Sequence, residues 1–154
     1  MKASILNTWP SNMKPHEWPK GTLQHMSAGL FTDCIFPLRV VSGVPMSPSP
    51  LFEAHVRSDN SNSRHNVKND RLSDATDMQV STVKRMLKVM IAAETINAIG
   101  GIGIYFDTHK PTIHIDQRKI RLVWLAYKEN GKRVYLYREN DPVKFYIKLG
   151  ELLS

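Results

Sequence analysis

The chain has 154 residues, 42% of them hydrophobic and 23% charged, and a formal net charge of +7. That is the size and make-up of one compact domain, which excludes a wholly disordered chain and leaves little room for a second domain. The positive excess favours an anionic partner, but the basic residues are scattered in runs no longer than a pair, so nucleic-acid binding is not expected.

Residues 1–20 are rich in Pro, Trp and Asn and read as an irregular lead-in. They hold no apolar core of signal-peptide length, and no later stretch is long enough to span a bilayer, so membrane insertion is not expected. Residues 22–36 place apolar side chains at helical spacing and predict a helix, with Pro37 ending it and a short strand following at 38–43. The single cysteine, Cys34, excludes an intrachain disulfide and reads as a small buried hydrophobe. Residues 44–73 form a long, polar, proline-punctuated loop, and a loop of that length in a small domain is either disordered or functional.

A strand is predicted over 74–81 and a helix over 82–99. The helix carries a stripe of Val83, Met86, Leu87, Met90, Ala93 and Ile96, a Ser81 or Thr82 cap, and a Gly100-Gly101 stop. Three alternating segments follow: GIGIYF, PTIHID and KIRLVWLAY. The Asn130-Gly131 pair predicts a hairpin into KRVYLYR, and PVKFYIKLGELL a closing helix. The order predicts an α+β fold, a small antiparallel sheet with flanking helices in one domain over 1–154.

Chemistry concentrates in two segments. In TIHID, strand alternation turns Ile113 and Ile115 to the core and puts Thr112, His114 and Asp116 on the other face. In SRHNVKNDRLSDATD, His65 lies in the polar loop and Asp77 in the strand that follows, with Asp70 and Asp74 between them. Taken singly, the first reads equally as an exposed polar strand face and the second as a solvated loop. Together they offer two imidazoles and a carboxylate, the ligand count of a catalytic zinc with its fourth position open to water. His16, His25 and His55 have no motif support and read as surface or structural residues, while Trp124 and Tyr135 suit strand packing.

These residues carry a resemblance. SRHNVKNDRLSDATD resembles the first metal motif, Ser-x-His-x-x-Gly-x-Ala-x-Asp, of the M15 zinc peptidases, which have the hedgehog/D-Ala-D-Ala peptidase fold. Ser63 and His65 match its start, and Ser73, Ala75 and Asp77 its end, with Ser in place of Gly. GGIGIY and IHIDQR resemble that family's Gly-Ile-Gly-x-Tyr stretch and its second motif, His-x-Asp-x-Arg. The similarity covers about residues 14–125 and is greatest to small phage and prophage members, some of them endolysins.

The resemblance implies Zn2+ held by His65, Asp77 and His114. It implies hydrolysis of peptide bonds in bacterial peptidoglycan, by an enzyme that stays in the host cytoplasm until release to the wall or travels with the virion. The chain departs from the pattern in three places. The loop between His65 and Asp77 is longer than in the motif. The position after Ser42-Gly43, where relatives carry a substrate-orienting Arg, reads Val44-Pro45, which makes Arg57 the nearest substitute. The position three before the last zinc His, a catalytic Glu in several relatives, is Pro111. Asp116 is therefore the first choice for general base or ligand orienter, and Asp107 or His109 the second. Arg118 is placed to pair with Asp116 or with an oxyanion. The alternative is a non-catalytic wall-binding or virion structural module on the same fold.

Overall fold

The computed structural model describes residues 1–59, 61–68 and 71–154. Its elements in chain order are α1 (Phe36–Ser42), β1 (Ser47–Pro48), β2 (Ala75–Gln79), α2 (Val83–Glu94), β3 (Gly101–Tyr105), β4 (Thr112–Asp116), β5 (Leu122–Glu129), β6 (Lys132–Tyr137) and α3 (Pro142–Leu153). The six strands form one sheet in the order β1-β2-β4-β3-β5-β6. The fold is α+β, as expected, but the sheet is mixed. β3 and β5 run parallel, Gly101 to Tyr105 beside Leu122 to Ala126, while every other pairing is antiparallel.

Strand alternation divides the sheet into two faces. Met78, Ile113, Ile104 and Leu125 stand in register across four strands, with Ile115, Ile102 and Val123 in the next row. This face is buried, and with Met86, Val89 and Met90 of α2 and Phe145 and Leu149 of α3 it forms the core. Thr82 caps α2 as predicted, its hydroxyl accepting from the Arg85 amide at 3.2 Å. The helix stops at Glu94, earlier than expected, because the Thr95 hydroxyl donates to the Ala92 carbonyl and turns the chain. Asn130 and Gly131 take positive φ angles of 50° and 77°, the twisted turn that an Asn-Gly hairpin requires.

The N-terminal third departs from the sequence reading in two ways. Residues 22–36 are not one helix. Leu23–His25 make a single 3-10 turn, after which Met26 and Ser27 run extended, with the Ser27 amide donating to the Ser73 carbonyl at 2.7 Å. The predicted strand at 38–43 is helical. A π-helical segment, Leu30–Ile35, feeds directly into α1, so Pro37 lies inside the helix. The wider π turn accommodates it, because a proline in a regular α-helix clashes with the carbonyl four residues back and leaves it unpaired. Val40 and Val41, whose β-branched character suggested a strand, are exposed on this helix, and Gly43 ends it in the left-handed conformation (φ 60°).

The lead-in is irregular, as read, but it is packed. Trp9 and Trp18 meet Phe31 and Phe36 in a tilted and edge-to-face aromatic cluster with centroids 5.1–6.0 Å apart. Cys34 is fully buried with its thiol 3.4 Å from the Ala98 carbonyl, and burial pushes its pKa up to about 12, which leaves it inert. Among the described residues, no helix is long and apolar enough to cross a membrane.

Gly100 sits where β3 passes closest to its neighbour. A Cβ there would overlap the Arg118 backbone carbonyl, which cannot swing away as a side chain can. Gly100→Ala should cost about 3 kcal/mol or more in urea unfolding. Gly150, in α3 with open space beside it, should gain about 0.5–1 kcal/mol on the same change. Equal effects at the two sites would contradict this reading of the β3 approach.

Candidate metal centre

The face of the sheet opposite the core carries the polar set. One register row runs Asp77 (β2), His114 (β4), Gly103 (β3), Trp124 (β5) and Tyr137 (β6). Asp77 and His114 are direct cross-strand partners, so the pairing of β2 with β4 alone brings them together, and His114 Nδ1 lies 2.8 Å from Asp77 Oδ1. His65 reaches them from the long loop. Its backbone carbonyl accepts from the Arg57 amide at 2.8 Å, and its own amide donates to Ser63 Oγ at 3.3 Å. Its Nε2 then stands 3.1 Å from His114 Nδ1 and 3.6 Å from Asp77 Oδ1. The three donor atoms form a compact triangle, and both imidazoles are buried, with 3% and 4% of their residue surface exposed.

Behind this triangle lies Asp116, fully buried. Its Oδ2 is 2.9 Å from His114 Nε2, and its two oxygens also accept from the Arg118 guanidinium and backbone amide. Arg118 in turn lies over the Trp124 indole, 5.2 Å from the ring centroid. Two glycines make room for this packing. A Cβ on Gly101 would overlap the Asp116 carboxylate, and one on Gly103 would overlap the Trp124 indole, which lies 5.0 Å from the His114 ring. The alternating glycines of GGIGIY are thus a steric requirement of the site.

The electrostatics follow from the packing. Burial works against a charged His114, but its hydrogen bonds to Asp116 and Asp77 outweigh that and raise its pKa to about 9. Burial also opposes ionisation of Asp77 and of Asp116. Hydrogen bonds to the histidines, and for Asp116 also to Arg118, nevertheless hold both carboxyls well below the usual range. His65 is pushed down by burial and stays neutral. Two ionised carboxylates thus flank one imidazolium, and a metal cation at Nδ1 would take the place of its proton.

No protein-family model, no curated protein and no solved structure matches this chain.

The triangle opens into a cleft of about 590 Å³. Arg57, Arg118 and His109 line it. Asp107 does not: its carboxylate is buried and ion-paired with Arg133, which removes it as a proton carrier in the cleft. Asp116 faces away from the opening and is saturated with donors, so it orients His114 and is not placed as a base. Asp74 is ion-paired with Arg64, which leaves Asp77 as the acidic member of the cluster, and Asp70 lies outside the described residues. His55 is buried between Thr76 Oγ1 (2.8 Å) and the Ser49 carbonyl (2.7 Å), a structural role, while His16 is exposed.

Sequence reasoning missed three of the lining residues. Tyr105 shares the alternation of Gly101 and Gly103 and was findable on that ground. Burial raises its phenol pKa, so it stays protonated and able to donate. Arg133 and Glu53 also line the cleft, and Glu53 sits in a single 3-10 turn, Phe52–Ala54, too short to give a periodic signal. Trp124 and Tyr135, read as packing residues, form part of the cleft wall.

Proposed function

We propose that the chain is a zinc-dependent peptidase of the hedgehog/D-Ala-D-Ala peptidase type that cuts peptide bonds in bacterial peptidoglycan. The observation that carries the reading is the donor triangle of His65 Nε2, Asp77 Oδ1 and His114 Nδ1 at the base of an open cleft. Its spacings of 2.8, 3.1 and 3.6 Å fit zinc, since tetrahedral bonds of about 2.0–2.1 Å put ligand atoms about 3.3 Å apart. A carboxylate behind one histidine is the usual support of such a ligand, and Asp116 fills that place. Zinc held there would acidify a bound water and polarise the scissile carbonyl.

The chain's own residues supply the rest. Asp116 fixes the His114 ring and its tautomer through Nε2. Tyr105 offers a phenol hydrogen to a developing oxyanion, and Arg57 a cation to a substrate carboxylate. Glu53 and His109 are exposed on the cleft wall and are the groups placed to move a proton. A positively charged protein suits an anionic wall, and the family likeness suggests release through the host membrane or carriage on a virion.

The second reading is a non-catalytic wall-binding or virion module on this scaffold. Pro111 at the family's acid position and the buried, saturated Asp116 favour it. Purified murein separates the two. The peptidase releases new amine termini and stops when zinc is chelated, whereas the binding module sediments with murein and releases none. Lysis unaffected by chelation would remove zinc from the reading.

A further inference from the structure

The cleft holds a cation that the proposed catalysis leaves unused. Four arginines line it: Arg57, Arg64, Arg118 and Arg133. Arg64 is committed to Asp74, and Arg118 gives Nε and Nη2 to Asp116. Arg57 comes from the loop that presents His65. Its Nε donates to the Glu53 carbonyl at 2.9 Å, and it shares that part of the wall with the Glu53 side chain. Arg133 enters from the other direction, on β6, four strands away from β2 across the sheet.

The way Arg133 is held singles it out. Its Nε donates to Asp107, whose side chain is only 2% exposed. Its guanidinium carbon lies over the Tyr105 ring, 5.6 Å from the centroid. A buried carboxylate at one edge and a ring under one face fix the guanidinium plane. They do so without consuming its donors, since a guanidinium has five N–H groups and the Asp107 bond uses one. No other carboxylate pairs with Arg133 among the described residues, and 44% of its side chain is exposed.

Strand register builds the walls of this corner. Tyr105, Ala126 and Tyr135 stand in one row across β3, β5 and β6, and Arg133 lies two residues before Tyr135 on the same face. The two tyrosines line the cleft on either side of the small, buried Ala126. Aromatic walls exclude water and strengthen a charge-assisted hydrogen bond made between them. Tyr105 follows two residues after Gly103, the direct partner of His114, so the corner adjoins the donor triangle.

We propose that Arg133, with Tyr105 and Tyr135 as walls, forms a substrate subsite that takes a carboxylate of the bound peptide, separate from the one assigned to Arg57. This role rests on the peptidase reading of the cleft. It makes the substrate a peptide with two anionic groups, one towards the His65 loop and one towards β6. Arginine serves better than lysine here, because its planar fork meets both oxygens of a carboxylate. The carboxylate is that of an acidic side chain or of the peptide's C-terminus.

Calorimetric titration with an N-acetylated murein stem peptide tests the subsite, with a chelator present so that nothing is cut. Three forms are compared: all carboxylates free, only the C-terminal one amidated, and all amidated. The parent chain should bind the free form at least about tenfold more tightly than the fully amidated form. Arg133→Gln should lose about tenfold in affinity for the free form and nothing for the fully amidated one. Arg133→Lys should regain part of that loss. Where the singly amidated form keeps its dependence on Arg133, the corner holds a side-chain carboxylate; where that dependence disappears, it holds the C-terminus. Lys132→Gln removes the same charge from the neighbouring exposed residue outside the cleft and should bind as the parent does. With zinc present, Arg133→Gln should raise KM about tenfold and leave kcat within about twofold, at unchanged zinc content. A parent chain indifferent to amidation, an Arg133→Gln loss equal for free and fully amidated peptide, or a matching loss in Lys132→Gln would each overturn the subsite. Failure of the peptidase reading has a different pattern: no zinc and no amine release in the parent chain, whatever Arg133→Gln does to binding.

Discussion

His114→Ala is expected to abolish stoichiometric zinc binding and to lower murein peptide hydrolysis by at least about a thousandfold. The substitution removes one corner of the donor triangle and leaves His65 and Asp77, a pair too few to hold the metal in place. It also leaves the buried Asp116 facing a gap where the imidazole was, with Arg118 as its remaining partner, so the melting temperature should fall in the metal-free protein too. Asp116→Asn separates ligation from support. All three donor atoms survive that change while the ionised acceptor behind His114 is lost, so zinc should still bind but about 10–100-fold more weakly. Metal analysis of the two purified variants, with amine release from murein, checks the pair. Full zinc occupancy in His114→Ala, or a larger loss in Asp116→Asn than in His114→Ala, contradicts the assigned roles.

The parts of this site that were legible in the sequence are those set by local rules. Strand alternation in TIHID placed His114 and Asp116 on one face, and the structure puts a hydrogen bond between them. Asp77, not Asp74, falls at the acidic position of the motif match, and Asp74 is spent on Arg64. What the sequence hid depends on contacts distant along the chain. The parallel pairing of β3 with β5 leaves no mark in either segment. The helix through Pro37 exists because a π turn precedes it, and β-branched Val40-Val41 pointed the other way. Asp107 looked available as a base until Arg133, on a strand reached only through the hairpin, is seen to hold it. Glu53 enters the cleft wall from a single 3-10 turn, too short to leave a periodic signal in the sequence.

Zinc affinity should fall as pH falls, with a slope set by one proton. In the metal-free protein His114 is the group that must lose a proton, since its pKa of about 9 keeps it charged at neutral pH. His65 is already neutral and Asp77 already ionised, so neither adds competition. Below pH 9 each unit should therefore weaken apparent binding about tenfold, or about a hundredfold between pH 8 and pH 6. Stability of the chelated protein moves the other way. A folded pKa above the ordinary 6.5 means that the His114 contribution is fully present below pH 6.5 and is lost as pH rises towards 9. With zinc bound, that loss should vanish, because the metal has replaced the proton. Asp116→Asn removes one of the two carboxylates that hold the proton on His114, so it should flatten the affinity slope between pH 6 and 8. A slope near zero in the parent chain, or a chelated protein that gains stability between pH 6.5 and 9, would mean that the proton between Asp77 and Asp116 is not the one the metal displaces.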